Sequence, residues 1–108
     1  MSRITTHVLD TAHGMPAAGV PVRLLDGDGA TIGTGHTDAD GRVKELGPEE
    51  LAAGVYTLVF DTQRYFDLIE VEAFYPSVTI AFHVRDPDEH FHVPLLLNPF
   101  GFSTYRGS

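Results

Sequence analysis

The stretch His90-Phe91-His92-Val93-Pro94-Leu95-Leu96-Leu97-Asn98-Pro99-Phe100-Gly101-Phe102-Ser103-Thr104-Tyr105-Arg106-Gly107-Ser108 decides how the rest of the chain is read. Val93 to Leu97 is an apolar run too short for a helix. Turn residues bound it at Asn98-Pro99 and Gly101, so it reads as a strand. Phe102 to Arg106 alternates and reads as a second strand, returning beside the first as a hairpin. The run before the turn is apolar at both parities, with Val93, Leu95 and Leu97 on one face and Pro94 and Leu96 on the other. A half-solvated strand would be polar at every second position. Both faces are therefore expected to be covered, one by the domain core and one by something else. His92 shares parity with Pro94 and Leu96, which puts a titratable ring in an apolar patch.

Outward from this hairpin, short strands and tight turns alternate along the chain. Ile4, Thr6 and Val8 alternate with Thr5, His7 and Leu9 in a first strand, and Ala12 to Gly19 reads as a loop. Val20 to Leu25 and Ala30 to Thr37 are strands on either side of the turn Asp26-Gly27-Asp28-Gly29. Asp38-Ala39-Asp40-Gly41 is a second such turn. Its spaced aspartates hint at a calcium loop, but the third oxygen donor and the closing glutamate are out of register. Pro48 to Ala53 suggests one helical turn, Val55 to Asp61 a strand, and Gln63 to Ile69 a short helix capped by Thr62. Val78 to Val84 alternates with one solvated face. This is the habit of an antiparallel β-sandwich with one short helix. The doubly apolar last strand suggests that another subunit covers one sheet.

At 108 residues the chain is expected to form a single domain, residues 1–108, with a core of its own. The net charge of −8 and the lack of a basic cluster argue against nucleic acid and anionic membrane partners. No apolar segment approaches the ~20 residues of a membrane helix, and Met1 to His7 lacks the pattern of a signal peptide. The default expectation is a soluble cytoplasmic protein. There are no cysteines, hence no disulfide or thiolate chemistry.

Histidine is the abundant chemical residue, with six in the chain. His13, His36 and His83 read as surface groups and His90 as the residue leading into a strand. His7 and His92 differ because their same-face neighbours are apolar. Each is either a core histidine satisfied by a backbone carbonyl or half of an imidazole pair for proton transfer. A zinc reading takes His7, His90 and His92 as three ligands, but no carboxylate or thiolate stands at a compelling spacing to complete it. Arg42 and Arg106 offer guanidinium forks for carbonyl or anionic oxygens, or are simply solvated. No nucleophile elbow, phosphate loop, dinucleotide fingerprint or carboxylate pair is present.

Three segments together resemble a known family. The ending Tyr105-Arg106-Gly107-Ser108 follows His92-Val93-Pro94-Leu95-Leu96. Thr6-His7-Val8-Leu9-Asp10-Thr11 leads into Gly14 to Leu24, and Thr37-Asp38-Ala39-Asp40-Gly41-Arg42 lies between. In this order the chain resembles the 5-hydroxyisourate hydrolases, the transthyretin-related enzymes of urate breakdown, along essentially its whole length. Asn98, Phe100 and Phe102 depart from residues common there, away from the catalytic set.

The resemblance implies a transthyretin-like sandwich of two four-stranded sheets, assembled as a homotetramer with active sites in the channel between dimers. It implies catalysis by His7, Arg42, His92 and Ser108, substrate binding by His7, Arg42, Tyr105 and Arg106, and no metal or organic cofactor. The reaction implied is hydrolytic opening of 5-hydroxyisourate to 2-oxo-4-hydroxy-4-carboxy-5-ureidoimidazoline. Two other readings stay open: a non-catalytic small-ligand carrier of the transthyretin kind, and a zinc-dependent hydrolase.

Overall fold

A computed structural model describes residues 3–108; the first two residues of the expected 1–108 domain lie outside the described residues. The strands are β1 (Ile4–Asp10), β2 (Met15–Pro16), β3 (Pro21–Leu25), β4 (Thr31–His36), β5 (Arg42–Leu46), β6 (Gly54–Phe60), β7 (Val78–Val84), β8 (Phe91–Asn98) and β9 (Gly101–Thr104). One helix, α1 (Thr62–Leu68), follows β6.

Two sheets form the sandwich. In the first, β1 lies beside β8, β8 beside β9, and the other edge of β1 is shared by β2 and β5. The second runs β4-β3-β6-β7. The period of two sorts each strand between core and exterior. From β1, Ile4, Thr6, Val8 and Asp10 point inward and are buried, while Thr5, His7 and Leu9 face out. From β8, Phe91, Val93, Leu95 and Leu97 join the core. Val22, Leu24, Leu58 and Phe60 meet them from the second sheet.

Several details differ from the sequence reading. The first sheet has five strands, because two residues of the expected Ala12–Gly19 loop pair with β1. The β1–β8 pair is parallel, from Ile4 beside Phe91 to Asp10 beside Leu97, in an otherwise antiparallel sandwich. Alternation shows which face a residue takes but not which strand lies next door or in which direction it runs. Residues 48–53 form no helical turn, since a segment this short cannot offset the cost of nucleation by itself. Asp61, rather than Thr62, caps α1, its carboxylate accepting from the Arg64 N–H at 3.3 Å; Thr62 is the first helical residue, and it is buried.

The terminal hairpin is shorter than expected, and Pro94 is the reason. The Pro94 carbonyl faces β9, where it accepts from Thr104 Oγ at 2.7 Å. The proline nitrogen on that same side has no hydrogen to give. The β8–β9 ladder therefore stops after Thr104 and resumes as a bridge in which the Gly107 N–H donates to the His92 carbonyl at 2.8 Å. This lays Gly107 over His92 and Pro94: a Cβ there would stand 2.7 Å from His92 Cδ2 and 3.2 Å from Pro94 Cγ. Part of the cover on the second face of β8 is thus the chain's own ending.

Candidate active site

The outward residues of β5, β1 and β8 form one surface on the first sheet. His7 pairs with Arg42 across β1–β5, and Thr5 pairs with His92 across β1–β8. A cavity of about 340 Å³ opens on this surface, with Thr5, Arg42, Lys44, His90, His92 and Ser108 among its walls. Although the chain is strongly acidic, this hollow gathers a guanidinium, an ammonium and two imidazoles, with Glu45 also at its edge.

The turn before β5 positions Arg42. Asp38 Oδ1 accepts from the Asp40 N–H at 2.9 Å and the Arg42 N–H at 3.0 Å. The Arg42 N–H bond is the main reason the Asp38 carboxyl lies below its usual range. Gly41 adopts φ +79°, and a Cβ there would collide with the Val8 carbonyl oxygen, so the turn lies flat against β1 only with glycine. Val8 N–H donates to the Gly41 carbonyl at 2.7 Å. No hydrogen bond or ion pair to a described residue ties down the Arg42 guanidinium.

His7 extends toward the same turn, with Nε2 2.8 Å from the Asp40 carbonyl oxygen. A carbonyl only accepts, so His7 Nε2 carries a proton and Nδ1 is the ring's basic nitrogen when neutral. His92 is half-buried. Burial, then the positive charges of Arg42, His7 and His90, hold its pKa below the ordinary imidazole value. It is therefore a neutral ring at neutral pH, one that can take a proton.

Arg42, His92 and Ser108 line this hollow, and His7 stands beside it as the cross-strand partner of Arg42. Tyr105 and Arg106 line a separate cavity of about 250 Å³, with Phe82, Phe91 and Val93 from the interior side. Arg106 donates to the Glu89 carboxylate at 2.9 Å, and its guanidinium stands 4.6 Å from the centre of the Phe91 ring. Register explains this: Arg106 falls opposite Val93, a core residue, and so turns away from His92.

Thr5 and Lys44, also at the cavity, were not singled out from sequence. Thr5 places its hydroxyl 2.8 Å from His92 Nδ1 and 2.9 Å from His90 Nε2. His90, read from sequence as the residue leading into a strand or as a zinc ligand, also lines the cavity. Thr5 shares parity with His7 and His90 with His92; that was the available signal, but the partnership depends on parallel pairing. Among the described residues no group of three or more histidine, cysteine, aspartate or glutamate side chains is placed to hold a metal ion. His90 Nε2 and His92 Nδ1 meet at the Thr5 hydroxyl, and His7 Nε2 turns to Asp40.

A sequence model of the HIUase/Transthyretin family matches residues 4–107. The chain belongs to this family. Among its relatives, the 5-hydroxyisourate hydrolase of Salmonella dublin is 46% identical over 109 residues, covering 97% of this chain and 80% of the relative. The solved 5-hydroxyisourate hydrolase of Klebsiella pneumoniae superposes with a TM-score of 0.90 at 39% identity, over 100% of this chain and 94% of that one. The transthyretin of Sparus aurata superposes with a TM-score of 0.91 at 30% identity, over 99% and 97% of the two chains. The HIUase/Transthyretin fold is thus common to enzymes and transthyretins.

Proposed function

We propose that this chain is a 5-hydroxyisourate hydrolase of urate breakdown, acting as a cytoplasmic homotetramer without metal or organic cofactor. The observation that supports the reading is that Arg42, His92 and Ser108, distant in sequence, line one hollow on the first sheet, with His7 paired to Arg42 beside it.

Water adds to the ring carbonyl carbon next to the bridging carbon. A C–O bond forms, the ring C–N bond breaks, and the departing nitrogen takes a proton, giving 2-oxo-4-hydroxy-4-carboxy-5-ureidoimidazoline. His92, neutral and partly shielded from solvent, accepts the proton of the attacking water, which Ser108 helps to orient. His7, which as an imidazolium carries its second proton on Nδ1, polarises the carbonyl and passes that proton to the leaving nitrogen. Arg42, which lines the hollow with its guanidinium unpaired among the described residues, holds the developing oxyanion; one such donor is worth ~3–4 kcal/mol. Within one chain, Tyr105 and Arg106 line the neighbouring cavity.

The test follows the absorbance of freshly generated 5-hydroxyisourate with and without protein. Faster loss with protein supports the enzyme; equal rates leave the carrier reading in its place. Full activity after chelation, with metal analysis of the same sample, sets aside the zinc-dependent route.

A further inference from the structure

We propose that Thr5 is a positioning residue whose hydroxyl sets the tautomer of His92 and links that ring to His90. The inference rests on the hydrolase reading, which selects the tautomer and gives the kinetic consequence, while the contacts themselves are geometric. Thr5 Oγ lies 2.8 Å from His92 Nδ1 and 2.9 Å from His90 Nε2, and all three residues line the same hollow.

A hydroxyl has one hydrogen to donate and two lone pairs to accept with. With both rings neutral, two chains of donation satisfy these contacts with the hydroxyl hydrogen in use. In one, Thr5 donates to His92 Nδ1 and accepts from His90 Nε2–H. His92 Nε2 then carries the ring's hydrogen and cannot take a proton from water. In the other, His92 Nδ1–H donates to Thr5, and Thr5 donates to His90 Nε2. His92 Nε2 is left with its lone pair, and no described residue occupies it.

Catalysis selects between them. A base must have its lone pair exposed before the proton arrives. In the second arrangement His92 already donates through Nδ1, and it still does once Nε2 is protonated, so no hydrogen bond has to reverse during the reaction. In the first, protonation would set an N–H against the hydroxyl hydrogen, and Thr5 would have to rotate. The second arrangement is therefore the working one, with His90 as the acceptor that holds the hydroxyl hydrogen in place. The proton-bearing nitrogen of an imidazole is generally set by the partner of its other nitrogen. Here that partner is a threonine on the neighbouring parallel strand. The other groups facing His92 are Arg42 and Lys44 on β5 and His7 on β1, with Glu45 and Ser108 at the rim. None of these has a hydrogen bond to His92 Nδ1.

The experiment compares wild type, Thr5→Val and Thr5→Ser. Valine keeps the β-branched shape on β1 and removes the hydroxyl, whereas serine keeps the hydroxyl. Nitrogen-15 spectra of the imidazoles, recorded above the His92 midpoint and without substrate, should show the Nδ1–H tautomer in wild type and Thr5→Ser. They should show a shift toward Nε2–H in Thr5→Val. Turnover of 5-hydroxyisourate should fall at least ~10-fold in Thr5→Val, with KM within about twofold, and recover in Thr5→Ser. An unchanged His92 tautomer in Thr5→Val overturns the proposal, as does wild-type kcat in that variant. If wild type itself fails to hydrolyse 5-hydroxyisourate, the hydrolase reading falls, and the spectra alone then decide whether Thr5 sets the tautomer.

Discussion

At the scale of single residues, the proposed mechanism depends on two imidazoles, His7 and His92. Replacing His92 or His7 with alanine should lower turnover at least ~100-fold while the assembly persists, as expected when a positioned acid or base is removed. Near-native rates in both variants would take the catalytic assignment away. His92 also makes a prediction about pH. Burial first, and then the charges of Arg42, His7 and His90, oppose its protonation. The acid limb of kcat/KM should accordingly lie below the ordinary imidazole value of ~6.5. Arg42→Gln removes one opposing cation, so the His92 midpoint should rise in a proton NMR titration of its ring. A midpoint that stays put or falls would mean the guanidinium is not felt there.

At the scale of elements, α1 is tied to the first sheet by a polar contact in an otherwise apolar interface. Asp10, at the end of β1 and 1% exposed, accepts from the Tyr65 hydroxyl at 2.6 Å and from the His13 ring and backbone N–H at 2.8 and 3.0 Å. Burial alone would raise the Asp10 pKa, but these hydrogen bonds outweigh it and hold the carboxyl below its usual value. Burial and the same carboxylate push the Tyr65 hydroxyl well above its own usual range. Tyr65→Phe removes a donor from a buried charge and should cost about 1.5–3 kcal/mol in urea unfolding at neutral pH. A carboxylate with a depressed folded pKa adds stability that is complete above its unfolded value of ~3.9. That contribution fades as pH falls through the folded value. The gap between wild type and variant should therefore narrow in acid, and a gap independent of pH would contradict the account.

At the scale of the whole molecule, apolar surface remains where the first sheet has nothing of its own to cover it. Leu9 and Leu96 are only partly buried on the outer face. Met15 and Phe100 are 45% and 68% exposed at the end where the parallel strands β1 and β8 both finish. Such surface suits closed self-association, in line with the proposed tetramer. Light scattering should give the mass of four chains at micromolar concentration, and Phe100→Asp should shift the population to smaller species. A wild-type protein that scatters as a monomer would remove the tetramer from the proposal.

Much of this was determined by the sequence alone, because the period of a strand is a local property. Alternation grouped His7 with Thr5 and Leu9 and His92 with Pro94 and Leu96, leaving open which face was outward, and the Asp-rich glycine turns located the reversals beside β4 and β5. The segments around His7, Arg42 and His92 carried the family. Neighbourhood was decided only by the tertiary structure. The parallel β1–β8 pair brings Thr5 to His92, the β1–β5 pair brings Arg42 to His7, and the return of the chain after β9 sets Arg106 over Phe91 while Gly107 covers His92. Each of these is a contact between residues far apart in the chain. Such contacts depend on which apolar faces bury each other best, a choice made by the chain as a whole and written in no short segment of it.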